Sequence, residues 1–97
     1  MVERNPILLS NNIVIRIDSK RLYATFYIDT GRSLYELKAP GRLSELCEPY
    51  RHKEFHIYAG KTSVTIVNVK EAHAEELTLK LTEFLTNPNN LEPRLTR

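Results

Sequence analysis

Between Ile13 and Ile28 the chain alternates apolar and polar residues, a two-residue period that few folds accommodate. Ile13, Ile15 and Ile17 are separated by Val14 and Arg16, and successive side chains of a strand point to opposite faces. A turn is expected at Asp18-Ser19-Lys20, after which the pattern resumes. Leu22, Ala24, Phe26 and Ile28 form an inward face, and Arg21, Tyr23, Thr25 and Tyr27 an outward one. β-Branched and aromatic residues dominate both runs, so they read as an antiparallel hairpin.

Further strands follow by the same reasoning. Asp29-Thr30-Gly31-Arg32 reads as a turn and Ser33–Lys38 as a third strand. Pro40-Gly41 opens another turn, and Arg42–Glu48 is a short helical piece with Leu43, Leu46 and Cys47 on one side, stopped by Pro49. Glu54–Tyr58 and Thr62–Val69 form a second hairpin around Ala59-Gly60-Lys61. A long helix is expected from about Lys70 to Leu85, with Asn68 and Glu71 as a capping pair and Ala74, Leu77, Leu81, Phe84 and Leu85 as its apolar stripe.

The order β-β-β-short α-β-β-α implies an α+β fold: an antiparallel five-stranded sheet covered on one face by the C-terminal helix. Residues 1–11 are expected as an N-terminal arm, 12–86 as a single domain, and 87–97, rich in Asn and Pro without periodicity, as a flexible tail. On patterning, residues 54–85 resemble the end of a pleckstrin-homology-like domain, although the Trp typical of that helix is absent. That resemblance implies an alternative, a bent sheet or small barrel plugged by its last helix, and a binding role.

Composition narrows the function. Of the 97 residues 41% are hydrophobic and 27% charged, the balance of a globular chain rather than a disordered one. One Cys and three Gly exclude a disulfide scaffold and a collagen repeat. No run approaches the roughly 18 apolar residues of a membrane span. The lone Cys47 favours a reducing compartment, and Ile7-Leu8-Leu9 is too short for a signal-peptide core, so a cytoplasmic protein is expected. Net charge is only +2, but it is uneven: residues 1–53 hold nine Lys/Arg against six Asp/Glu, residues 54–97 five against six. A chain this short gains from burial between subunits, and a homodimer is expected.

Two constellations carry chemistry. The outward residues Arg16, Arg21, Tyr23 and Tyr27, with Tyr35, are a Tyr/Arg face of the kind enriched at protein interfaces. The expected function is a non-catalytic protein-binding or regulatory module using that face. The competing reading is a single-strand nucleic-acid binder, in which the tyrosines stack bases and Arg51 and Lys53 add phosphate contacts. The second constellation is His52, Glu54 and His56. On an extended segment these project from one face and suit a first-row divalent ion. Arg51 and Lys53 oppose a cation there, and a polar strand face explains the pattern without one, so no metal and no cofactor are expected. Catalysis lacks a signature: Cys47 lies on an apolar helix side, and there is no glycine-rich phosphate loop.

Overall fold

The structure is a computed structural model in which residues 2–3, 6–31 and 33–94 are described. It is an α+β fold. Strands β1 (Val2–Glu3), β2 (Ile7–Leu8), β3 (Val14–Lys20), β4 (Tyr23–Asp29), β6 (His56–Ala59) and β7 (Ser63–Lys70) form one antiparallel sheet, while β5 (Tyr35–Leu37) and β8 (Leu91–Pro93) form a second. The large sheet runs β1-β3-β4-β7-β6, with β2 sharing the β1 edge of β3, so six strands fill five positions. Helices α1 (Gly41–Leu46) and α2 (Ala74–Thr86) complete the fold.

One hydrophobic core joins the sheet to the helices. Ile13, Ile15 and Ile17 meet Ala24, Phe26 and Ile28, then Val64, Ile66 and Val69, and α2 sets Ala74, Leu77, Leu81 and Leu85 against them, all buried. The alternation of β3 and β4 is therefore the alternation of one buried and one outward face. In β4 the even positions from Ala24 to Ile28 are buried and the odd ones are half-buried or exposed. The strands β6 and β1/β2 lie at opposite edges and are not paired to each other. The sheet is open, and the barrel alternative is not formed.

Several local expectations are corrected. Asp18, Ser19 and Lys20 are not a turn but the end of β3, since the hairpin closes on the pair Lys20 and Tyr23. The two-residue turn is Arg21-Leu22, with Arg21 in the left-handed region at φ 51°. Leu22 therefore leaves the inward row and stands 74% exposed at the tip. The third expected strand shrinks to β5 and leaves the large sheet to pair with β8. The large sheet gains two strands from the expected N-terminal arm instead, where β1 and β2 pair with β3. Glu54 lies outside β6, in the turn where Phe55 N–H reaches the His52 carbonyl at 3.1 Å.

At the start of the last helix, Asn68 caps nothing. It sits at φ 60° opposite a register shift between β7 and β4, where a bulge inserts one extra residue. Its side-chain amide instead donates to the Glu54 carbonyl at 2.8 Å. The helix begins later than expected, after a three-ten turn at Glu71–His73. The expected flexible tail is, in its described part, a three-ten turn at Pro88–Asn90 followed by β8. Pairing with β5 supplies the main-chain partners that the tail's own sequence does not. Residues 95–97 lie outside the described residues, as do Met1, Arg4, Asn5 and Arg32.

Candidate functional site

On the face of the large sheet turned away from the helices, the loop residue His52 stacks on Tyr23, while the row that begins at Arg16 is half-buried or exposed. Register fixes the rows of this face. Arg16 lies opposite Tyr27, Tyr27 opposite Thr65, and Thr65 opposite Tyr58. Within this row the Arg16 guanidinium sits 5.1 Å above the centre of the Tyr27 ring, a cation–π contact. A second row holds Lys20, Tyr23 and Lys70. Between them lie Asp18 and Thr25 on one side of the bulge, and Val67 and His56 on the other.

This face is mildly basic. Arg16, Lys20 and Lys70, with Arg21 flanking from the turn, stand against Asp18 and Asp29. One carboxylate oxygen of Asp18 is buried and has no hydrogen-bond partner among the described residues. Tyr58 at the β6 edge is 64% exposed, whereas Tyr27, under Arg16, and Tyr23, under His52, are half-buried. At one corner Asn12, Val14, Arg16 and Asp29 line a hollow of about 200 Å³. At the hairpin tip Lys20, Arg21, Leu22 and Tyr23 border an apolar groove of about 490 Å³. The tip is held in place, because the Leu22 carbonyl accepts the Glu71 N–H at 2.8 Å.

The residues singled out in the sequence divide. Arg16, Tyr23 and Tyr27 share the open face, and Arg21 flanks it from the turn. Tyr35 is 41% exposed but belongs to the separate β5–β8 sheet, where it faces Pro93. Arg51 is engaged elsewhere, with its Nε 2.8 Å from Glu48 and its guanidinium 5.8 Å from the Phe55 ring centre. Lys53 is exposed in the turn before β6. Tyr58 and Lys70 are not singled out by the sequence, and His56 is singled out there only as a metal candidate. Tyr58 and His56 carry the same alternation around Ile57, but only the strand order reveals that they adjoin Thr65 and Tyr27.

His52, Glu54 and His56 do not come together as a metal site. The turn at 52–55 breaks the extended spacing that would align them. His52 stacks on Tyr23, with ring centres 5.7 Å apart and planes 22° apart. Its Nδ1 accepts the Glu54 N–H at 3.2 Å, which leaves Nε2 as the protonated nitrogen, donating to the Asn68 carbonyl at 2.8 Å. Both ring nitrogens are thus committed. Among the described residues there is no group of three or more His, Cys, Asp or Glu placed to hold a metal.

Behind the sheet, Tyr50 donates its hydroxyl to Glu76 at 2.6 Å, lies under the Lys80 ammonium at 5.1 Å, and packs against His73. This cluster pins the loop after α1 onto α2. Compared with known proteins, the chain matches no family model, no curated protein and no solved structure. Among the described residues no helix is long and apolar enough to cross a membrane.

Proposed function

We propose that this chain is a non-catalytic binding module that docks a protein partner on the open face of its sheet. The observation that carries this reading is the uncovered row Arg16–Tyr27–Thr65–Tyr58, with an arginine already stacked on a tyrosine and a second tyrosine projecting at the edge. Tyr and Arg lend large, rigid contact area and dominate interface hot spots. A mildly basic face suits a protein surface better than a polyphosphate, which favours a strongly basic one. A binding rather than catalytic role is supported by the fate of the reactive groups: the Cys47 thiol is buried and both His52 nitrogens are hydrogen-bonded.

A second reading, single-stranded nucleic acid, is favoured by the row Lys20–Tyr23–Lys70, which sets a ring between two cations. One pair of experiments separates the two. Affinity capture compares the wild type with an Arg16→Glu/Tyr27→Ala double variant. A protein retained by the first and lost by the second supports the proposal, and equal retention removes it. Titration with oligonucleotides at two salt concentrations tests the other reading. Affinity falling with a log–log slope of about −0.7 per phosphate contacted transfers the assignment to nucleic acid.

A further inference from the structure

The two edges of the sheet are finished differently. The outer edge of β3 is covered by β1 and β2, whereas the outer edge of β6 pairs with nothing among the described residues. Exposed edges are templates for another strand, and proteins blunt them with Lys, Pro or a bulge. The strand His56-Ile57-Tyr58-Ala59 has none of these; its protection is its four-residue length and the nearby α1.

The free groups on this edge can be assigned. The Gly60 N–H donates to the Ser63 carbonyl at 2.9 Å. Hydrogen-bonded pairs alternate along an antiparallel ladder, so His56 and Tyr58 turn their main-chain groups toward β7. Ile57 and Ala59 turn theirs outward.

We propose that β6 pairs antiparallel with β6 of a second copy, about a two-fold axis passing between the two Tyr58 residues. The proposal goes beyond the open-face reading and stands on the edge alone. Three observations select a second copy in this register. With Tyr58 opposite Tyr58, Ile57 of each chain faces Ala59 of the other, and the two residues exchange both bonds. All the outward main-chain groups of both copies are then matched in four hydrogen bonds. A shift by two residues, to Ile57 opposite Ile57, calls on the Phe55 N–H, which is already held by the His52 carbonyl.

Charge agrees as well. Residues 55–60 are uncharged, with Glu54 at one end and Lys61 at the other. Antiparallel pairing brings the Glu54 end of each copy to the Lys61 end of its mate, where Lys61 already lies 3.4 Å from Glu92 and 3.9 Å from Glu36. Finally, an axis perpendicular to the sheet keeps both open faces on one side. The row Arg16–Tyr27–Thr65–Tyr58 then runs on, through the second Tyr58, into its own mirror order.

Four main-chain bonds and one short strand bury less than the roughly 1,200 Å² of a stable interface, so dissociation on the order of 100 μM is expected. Sedimentation of the whole chain over a concentration range crossing that value is the first measurement. Tyr58→Lys sets like charges across the axis and should weaken association at least about tenfold, at a site exposed enough to leave the fold alone. Tyr58→Cys supplies a direct readout. Non-hydrogen-bonded cross-strand pairs hold Cα atoms about 4.5 Å apart, within the span a disulfide bridges. Mild oxidation should therefore yield a covalent dimer from Tyr58→Cys but not from Leu79→Cys, which is exposed on the helix side. Concentration-dependent dimers, weakened by the lysine and trapped at position 58, sustain the proposal. A monomer up to roughly 2 mM, a dimer indifferent to Tyr58→Lys, or no trapping above the Leu79→Cys background would overturn it. Tyr58 also belongs to the open-face row, but sedimentation and cross-linking read the isolated chain with no partner present, so their outcome is separate from that of the partner-capture experiment.

Discussion

The Cys47 thiol lies in the core just past α1, and burial pushes its pKa up to about 11, against an ordinary 9.0, while Arg51 and Lys80 pull partly the other way. Burial, reinforced by the hydrogen bond to Glu76, also raises Tyr50. The consequence for stability has a definite sign. Below pH 9 both the folded and unfolded chains hold the thiol proton, and its contribution is constant. From pH 9 to 11 the unfolded chain ionises first and is favoured, so stability falls as pH rises through that window. The urea midpoint should be level from pH 7 to 8.5 and lower at pH 10.5. Cys47→Ala should recover part of that loss and leave the share due to Tyr50. A midpoint unchanged between pH 8.5 and 10.5 would contradict the burial of both groups. At neutral pH the same burial should keep Cys47 unreactive toward alkylating agents until the chain unfolds.

Among the elements, β8 shows what tertiary context adds to an unpromising sequence. It pairs with β5 through Tyr35–Pro93, Glu36–Glu92 and Leu37–Leu91, and Arg94 then reaches across the chain. The Arg94 guanidinium donates through Nη2 to the Thr30 carbonyl at 2.6 Å and hydroxyl at 3.0 Å, and through Nη1 to the Gly31 carbonyl at 3.1 Å. Thr30 is fully buried. Arg94→Ala should therefore cost about 1–3 kcal/mol, read from urea unfolding at constant m-value. A cost near zero would mean that the C-terminal segment is not docked in solution. The sequence could not announce this pair, because a three-residue strand shows barely one period of alternation and its partner lies more than fifty residues away. For the same reason β1 and β2 were invisible. The long strands and the stripe of α2 were readable, since their periodicity is local and repeats several times. Left-handed residues were not: Arg21 and Asn68 adopt positive φ without the glycine that would have marked the turn. For the candidate face, Arg16, Tyr23 and Tyr27 followed from parity within one hairpin. Tyr58 needed the strand order, and Tyr35, equally aromatic, was carried off into another sheet. His52, Glu54 and His56 fit a metal only on an extended segment, and a turn occupies that place.

At the scale of the whole molecule, the hydrophobic core lies on one side of the large sheet. The buried residues of β3, β4 and β7 face α2, and the opposite face carries half-buried and exposed side chains with one cation–π contact. A fold with total stability of about 5–15 kcal/mol therefore keeps its core on one side and leaves the other side to the proposed docking face. Leu81→Ala, at a fully buried position of α2, should cost about 2–5 kcal/mol through lost burial and the cavity left behind. Arg16→Ala should cost less than about 1 kcal/mol, the worth of an exposed cation–π contact, and Tyr58→Lys about 0.5 kcal/mol or less. Urea unfolding of the three variants under one buffer tests this asymmetry. If Arg16→Ala destabilised the chain as much as Leu81→Ala, the open face would have to be part of the core, and its use as a docking surface would lose its physical basis. If the costs divide as expected, variants on that face can change partner binding and self-association while the scaffold stays folded, which is the condition that makes both binding experiments interpretable.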